Sequence, residues 1–224
     1  MLSVAARRGG KSSRNKIEMT KTRTILVLVA AVSALCLSGC TDDQSDKPHP
    51  KPAEMLTGRA AFQKCYISAR GWEADAQPFR LTSQPTSDSD GHDGKADVWL
   101  GSFGSASQHA MKTFSWSGTN VADAPERGVI PGGQDSYSPG NSSTHAFNLG
   151  FLKVDSDKAF DEAQKHGGDK ILQKDPKTPV FYILDWSSAT NELIWHVIYG
   201  PSRETAKLAI SINGTTGEFM RVEK

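Results

Sequence analysis

The sequence contains none of the short motifs that mark common enzyme classes. It has no Gly-x-Ser-x-Gly elbow, no His-Glu-x-x-His pair, no phosphate-binding loop and no dinucleotide fingerprint. The string 101–105 (GSFGS) resembles a nucleophile elbow only superficially, because it falls at the end of a predicted strand and not at a strand-to-helix turn. We therefore predict a protein that is not an enzyme and has no catalytic residues.

Cysteine and histidine are too scattered to predict a disulfide or a zinc site. The three cysteines are Cys36, Cys40 and Cys65. Cleavage of an N-terminal export signal would remove Cys36, and lipidation would modify Cys40. Cys65 then remains alone, and we expect it to be buried among apolar side chains. Of the six histidines, none lies at close zinc-ligand spacing. We expect His166 to cap a helix end and His196 to occupy an exposed strand position.

An excess of positive charge is confined to the N-terminal part of the chain. Residues 1–40 carry seven of the 26 lysines and arginines and one of the 25 acidic residues. Residues 41–224 therefore hold 19 basic and 24 acidic side chains, a net charge of −5. Nucleic-acid binding normally requires clustered lysine and arginine, so the sequence argues against a nucleic-acid partner.

The N-terminal part reads as an export signal. From Met19, a basic start is followed by an apolar run at 25–35 and by Leu37-Ser38-Gly39-Cys40. The run is too short for a stable transmembrane span, and the order of regions is that of a secretory signal. An uncleaved signal anchor or a buried N-terminal helix is the alternative, and either Met1 or Met19 is the true start.

Residues 37–40 resemble the lipobox of bacterial lipoproteins. The resemblance implies cleavage before Cys40, a diacylglycerol thioether on that cysteine and further acylation such as palmitate. Two or more acyl chains give stable membrane anchoring. We therefore expect a lipid-anchored protein of the cell envelope that faces the periplasm or the exterior.

The rest of the chain divides by composition. Two polar stretches rich in proline or glycine, near 41–52 and 119–145, separate two segments in which a helix precedes several strands. The predicted organisation is a signal peptide (1–39), a lipidated cysteine and tether (40–54), a first α+β unit (55–118), a linker (119–145) and a second α+β unit (146–224).

The two segments share an order of elements that predicts an internal repeat. Thr57 is placed to cap the first helix, and Asp155 or Ser156 the second. Ala61-Phe62 matches Ala159-Phe160 at a separation of 98, which sets Cys65 on Ala163. Val98-Trp99 matches Ile194-Trp195 at a separation of 96. Alternating runs predict strands near 78–83, 96–103, 110–117, 179–186, 192–199, 206–212 and 218–222.

Residues 155–222 resemble a PepSY domain. The resemblance rests on the capped helix, on Trp195-x-Val197 and on the closing turn Asn213-Gly214-x-Thr216-Gly217-Glu218. Residues 55–118 resemble a degenerate copy that lacks the closing Gly-Glu. The resemblance implies two small units, each a helix packed on a curled antiparallel sheet in a cystatin-like manner. It also implies non-catalytic roles such as partner binding, protease inhibition or assistance in proprotein folding.

The resulting functional hypothesis is an envelope module that binds a protein or peptide. Protease inhibition is one specific version of this hypothesis. The alternatives are a scaffold subunit of an envelope complex, or an enzyme acting on cell-wall or peptide substrates.

No cofactor is predicted. One candidate metal site is the stretch 88–97, where carboxylates between glycines suit calcium. The EF-hand spacing is not met, and a hairpin loop is the plainer interpretation. The candidate ligands are Asp88, Asp90, Asp93 and Asp97.

Overall fold

The computed structural model describes residues 51–223, which belong to one compact unit. The predicted signal peptide, Cys40 and most of the tether lie outside the described residues. Within the described part of the chain, no helix is both long enough and apolar enough to cross a membrane.

The architecture is α+β, as predicted, with an eight-stranded antiparallel sheet. Its strands run in the spatial order β10-β9-β8-β7-β2-β4-β5-β6, and β1 and β3 form a separate antiparallel pair. The strand positions agree with those expected from the alternating runs to within about two residues. The strands are β1 (Leu56–Thr57), β2 (Gln77–Ser83), β3 (Lys95–Ala96), β4 (Val98–Ser105), β5 (Ala110–Ser117), β6 (Gly128–Ser136), β7 (Val180–Ser187), β8 (Glu192–Tyr199), β9 (Leu208–Asn213) and β10 (Phe219–Val222).

The helices pack on one face of the sheet. They are α1 (Gly58–Trp72), α2 (Ser156–Ala163) and α3 (Asp169–Lys174), and α2 and α3 are separated by a kink at Gln164–Gly168. Helix α1 buries Ala61, Phe62, Cys65 and Ala69 against the sheet, and this spacing of three and four residues makes one continuous stripe. Cys65 is fully buried, as expected, and burial raises the pKa of its thiol to about 11.

The two α+β segments share a single sheet and a single core. Strand β2 of the first segment pairs with β7 of the second in antiparallel register, with Leu81 opposite Leu184. The main hydrophobic cluster contains Phe62 from α1 and Phe160 from α2 together. The segments are therefore joined by backbone hydrogen bonds and by buried side chains.

The stretch 119–145 differs from the predicted linker, because it contains the nine-residue strand β6. This strand pairs with β5 at the edge of the sheet, and most of its residues are exposed. Both faces of β6 are largely exposed, so the strand lacks the apolar alternation from which strands are predicted, and sequence patterning missed it. Tyr137 stacks on Phe79 just beyond its end, with ring centroids 6.1 Å apart.

The N-termini of α1 and α2 meet, and side chains from α2 cap α1. Thr57 occupies the predicted N-cap position of α1, but its side chain makes no capping hydrogen bond. Instead, the backbone N–H of Gly58 donates to Ser156 Oγ at 2.7 Å, and that of Arg59 donates to Asp155 Oδ1 at 2.8 Å. The prediction of a Thr57 side-chain cap is therefore wrong, because better acceptors arrive from the other segment.

Trp99 and Trp195, which the predicted repeat aligns, make similar hydrogen bonds. The indole N–H of Trp99 donates to the carbonyl of Leu56 at 3.0 Å, and that of Trp195 donates to the carbonyl of Val154 at 2.9 Å. Each acceptor immediately precedes the N-cap residue of its own helix. The two rings touch edge to face, with centroids 6.4 Å apart. Both are fully buried.

Candidate functional site

A groove of about 430 Å³ lies between the loop that joins β2 to β3 and the segment that precedes β7. We call it the loop groove. Its lining combines hydroxyl, carboxylate, ammonium and apolar groups, and it includes three of the four aspartates proposed as calcium ligands. The lining residues are Met55, Thr86, Ser87, Asp88, Ser89, Asp90, Gly91, Asp93, Lys95, Lys177 and Pro179.

Backbone contacts fix the two walls of the loop groove against each other. The N–H of Val180 donates to the carbonyl of Asp90 at 2.8 Å, and the buried Tyr182 hydroxyl donates to the carbonyl of Gly91. Gly91 has a φ of +72°, and a Cβ there would lie 1.9 Å from the carbonyl oxygen of Val180. Only glycine permits both this conformation and this approach.

A histidine ties the same two walls together. His92 Nε2 lies 2.7 Å from the carbonyl oxygen of Thr178, and its Nδ1 lies 3.5 Å from Asp90. The loop groove is thus built from segments that are separated in sequence but joined by several hydrogen bonds. Such a preformed concave surface needs little ordering when a ligand enters.

The four predicted metal-ligating aspartates are engaged separately. Asp88 Oδ2 accepts from the Thr119 hydroxyl at 2.7 Å, and Asp90 Oδ1 accepts from the N–H of His92 at 3.0 Å. Asp93 pairs with Lys95 at 2.8 Å.

Asp97 lies behind the loop, fully buried, and its Oδ2 accepts from the Thr86 hydroxyl at 2.7 Å. Its Oδ1 is buried without a hydrogen-bond partner. Burial raises the pKa of Asp97, and the nearby carboxylates of Asp88 and Asp123 raise it further. Among residues 51–223, no three side chains of His, Cys, Asp or Glu are grouped to hold a metal ion. Calcium binding therefore stays a prediction that this arrangement does not favour.

A row of charged side chains crosses the sheet on the face opposite the helices. It alternates in sign from β2 across β7 and β8 to the chain end, and we call it the charge ladder. Its members are Arg80, Asp185, His196, Glu223 and Arg203.

His196 lies at the centre of the charge ladder with both ring nitrogens engaged. Its Nε2 lies 3.1 Å from Asp185 Oδ1, and its Nδ1 contacts Glu223 Oε1. Arg80 pairs with Asp185 at 3.2 Å, and Arg203 pairs with Glu223 at 2.6 Å. Because each ionic group faces an opposite charge, the ladder ties the end of the chain to strands β2, β7 and β8.

Neighbouring opposite charges shift the pKa values of the ladder residues. Burial opposes the charge on His196, but the carboxylates of Asp185 and Glu223 outweigh it and raise the pKa of the imidazole. Burial likewise opposes the charge on Glu223, yet His196, Ser211 and Arg203 lower its pKa to about 2. The pKa of Asp185 is also lowered, since His196 and Arg80 more than offset its burial. The pairing therefore favours the charged forms of His196, Glu223 and Asp185.

The sequence placed His196 on the correct face but predicted the wrong exposure. Alternation along β8 sets it opposite Trp195, as expected, yet only 5% of its surface is exposed. Glu223, which contacts its Nδ1, follows it by 27 residues, and no local pattern indicates this contact. His166 also differs from the expected role. Its ring stacks on Phe219 with centroids 3.8 Å apart, and it pairs with Glu162 at 3.1 Å.

Most strand aromatics fill the core. Trp99, Phe103, Phe114, Trp116 and Trp195 are all buried in the main hydrophobic cluster. Trp186 is half-buried and packs beside two rings from the segment between β6 and α2. Phe151 lies 5.2 Å from it and His145 lies 5.9 Å from it, centroid to centroid.

Comparison of the whole chain with protein-family models, with curated proteins and with solved structures found no match. The function is therefore argued from the geometry of the loop groove and from the sequence.

Proposed function

We propose that this chain is an exported lipoprotein, anchored through Cys40, whose folded part is a non-enzymatic module that binds a protein or peptide segment in the loop groove. The observation that carries the binding proposal is the groove itself: a concave surface whose two walls are held by backbone and histidine hydrogen bonds. The lipobox-like residues 37–40 carry the proposal of anchorage.

The lining of the loop groove suits a peptide. Hydroxyl and carboxylate oxygens of Ser89 and Asp90 offer acceptors for backbone N–H groups and for basic side chains. Met55 and Pro179 add apolar surface to the same groove. This mixture of apolar contact and a few polar groups is typical of sites that bind extended segments.

The free edges of the sheet are less suited to a peptide strand than the loop groove is. Strand β6 contains Pro131, which has no N–H to donate, and a bulge interrupts its pairing with β5. Strand β10 has only four residues and also pairs irregularly. Proline, bulges and short strands are devices that protect edges against strand addition. Addition of a partner strand to a sheet edge is therefore less favoured than binding in the loop groove.

We further propose that the two segments are copies of one PepSY-like unit. The first supplies a helix followed by three strands of the large sheet, and the second supplies helices followed by four strands. Trp99 and Trp195 support this proposal because each donates its indole N–H to the residue before its helix cap. A scaffold subunit is the alternative function, and the shared core of the two segments favours it as a rigid packing block.

Site-specific photo-crosslinking in envelope membranes tests the binding function. A photoreactive amino acid at Ser89 lies in the loop groove, and one at Gln173 lies on the exposed surface of α3 as a matched control. We expect a discrete adduct from position 89 that is absent from position 173. Adduct formation from position 89 should fall when Asp90 is changed to Lys and persist when Asp161, on α2, is changed to Lys.

No adduct from position 89, or the same adducts from both positions, would contradict groove binding. A single adduct from position 173 alone would favour the scaffold alternative.

A further inference from the structure

Helix α1 presents a basic stripe to solvent. Its 15 residues include no acidic side chain, and the exposed ones are Gln63, Lys64, Ile67, Arg70 and Gly71. Ile67 is 73% exposed, the largest value among the exposed large hydrophobic residues of the described chain. Successive spacings of three residues place Lys64, Ile67 and Arg70 on one side of the helix. The stripe therefore has an apolar side chain between two cations.

Two cations at this surface make cation–π contacts with aromatic rings. The guanidinium of Arg70 lies 5.9 Å from the ring centroid of Tyr66, and the ammonium of Lys112 lies 5.3 Å from that of Trp72. Both aromatic residues are half-buried and pack against the core. Tyrosine and tryptophan with an apolar body and a polar tip are the residues that favour a membrane interface.

The helices of the second segment lack such a stripe. Lys158 pairs with Asp161 at 3.0 Å, and Lys165 pairs with Glu162 at 2.7 Å. Their surfaces carry both signs of charge, and neighbouring opposite charges neutralise each other. The exposed side of α1 is therefore basic, whereas the exposed sides of the second segment's helices are mixed in charge.

The proposed anchor at Cys40 would keep α1 within reach of the bilayer. Residues 41–51 span at most about 40 Å when fully extended. The side chain of Arg127 holds the end of this span by donating to the carbonyls of Lys51 and Pro52 at 3.0 and 2.8 Å. Helix α1 begins soon afterwards at Gly58. A short tether gives the helix a high effective concentration at the surface that carries the lipid.

We propose that the stripe formed by Lys64, Ile67 and Arg70, with Lys112 beside it, docks on anionic phospholipid headgroups of the membrane that holds the anchor. This inference rests on the proposed lipid anchor. The cations face the headgroup phosphates, and Ile67 enters the boundary between headgroups and acyl chains. Docking orients the folded part on the membrane.

Lipid-borne quenching of a fluorophore on the lipidated protein tests this orientation. The protein is reconstituted in vesicles of phosphatidylcholine with or without phosphatidylglycerol, both containing brominated phosphatidylcholine. The label is attached in Gln63→Cys, on the α1 stripe, or in Gln173→Cys, on α3. Unsubstituted protein, in which Cys65 is buried, gives the labelling background.

We expect quenching at position 63 in vesicles with phosphatidylglycerol and little at position 173. The double substitution Lys64→Gln with Arg70→Gln should reduce the ratio of docked to free protein about 25-fold, since each cation near an anionic surface contributes about fivefold. The matched change Lys170→Gln with Lys174→Gln on α3 should leave quenching at position 63 in place.

Equal quenching at positions 63 and 173, or quenching at position 63 that survives Lys64→Gln with Arg70→Gln, overturns the inference while leaving the anchor standing. A protein that does not incorporate into either vesicle contradicts the anchor and the inference together.

Discussion

The carboxylate of Asp155 accepts hydrogen bonds from the backbone N–H of Arg59 at 2.8 Å and of Ser156 at 2.7 Å. One side chain thus caps α2 and, from the other segment, α1. The first N–H groups of a helix have no partner within it, so an acceptor there stabilises the helix. The two segments depend on each other at this point.

Replacing Asp155 with Ala should therefore destabilise both helix ends. We expect a loss of about 2 kcal/mol in the free energy of unfolding, measured by urea denaturation of residues 41–224. Thr57→Ala is the matched control. Its side chain makes no capping bond, so its effect should stay within about 0.5 kcal/mol. A larger loss in Thr57→Ala than in Asp155→Ala would contradict this account of the caps.

Gly91 should be intolerant of a side chain. A Cβ at this position would lie 1.9 Å from the carbonyl oxygen of Val180, and its φ of +72° disfavours other residues. We expect Gly91→Ala to cost about 2 kcal/mol or more in the free energy of unfolding. Gly133→Ala is the control, since a Cβ there would have no other atom within 4 Å, and it should change stability by less than about 0.5 kcal/mol. Similar melting of the two variants would show that the loop does not pack on β7 as described.

The charge ladder predicts a stability maximum in mildly acidic solution. The pKa of His196 is raised above its usual 6.5, so its contribution is complete below pH 6.5 and is lost as pH rises through the folded pKa. The pKa of Glu223 is lowered from 4.5 to about 2, so its contribution is complete above pH 4.5 and is lost as pH falls towards 2. We expect the highest melting temperature between about pH 4.5 and 6.5.

His196→Gln tests the alkaline effect. The amide does not titrate, so the loss of stability above pH 6.5 should largely disappear. The loss at acid pH should become smaller as well, because His196 is one of the groups that lower the pKa of Glu223. The measurement is the melting temperature of the parent chain and of His196→Gln across pH 3 to 9. Identical alkaline slopes in both proteins would remove His196 from this explanation.

Calcium should leave the melting temperature of residues 41–224 unchanged at millimolar concentration. The reason is that Asp88, Asp90, Asp93 and Asp97 each accept separate hydrogen bonds and do not converge. Binding to the native state alone must raise stability. A calcium-specific rise that magnesium does not reproduce would establish the metal site that the sequence predicted.

Local patterns predicted the elements that have buried, alternating residues. Strands β5 and β8 were expected at 110–117 and 192–199, and the structure has the same bounds. The match of Cys65 with Ala163 also predicted two small core positions correctly, since both are fully buried. These features depend on neighbours within one segment, so local sequence contains the information.

Features that depend on distant partners were not predictable in the same way. The capping of Gly58 and Arg59 by Ser156 and Asp155 requires that the two helix ends meet. The burial of His196 requires Glu223, which follows it by 27 residues. The loop groove was indicated only through its aspartates, because its second wall near Lys177 carries no motif.

The proposal of membrane anchorage at Cys40 is tested most directly by fractionating cells that express the full chain. We predict that the parent protein and Cys36→Ser sediment with the membranes, because position 36 lies outside the lipobox-like residues 37–40. Cys40→Ser should lose the acyl chains, seen by mass spectrometry of the N-terminal peptide, and should lose stable membrane attachment once its signal is removed. A parent protein without acylation at Cys40, or a Cys40→Ser variant that is acylated and membrane-bound like the parent, would contradict the central claim.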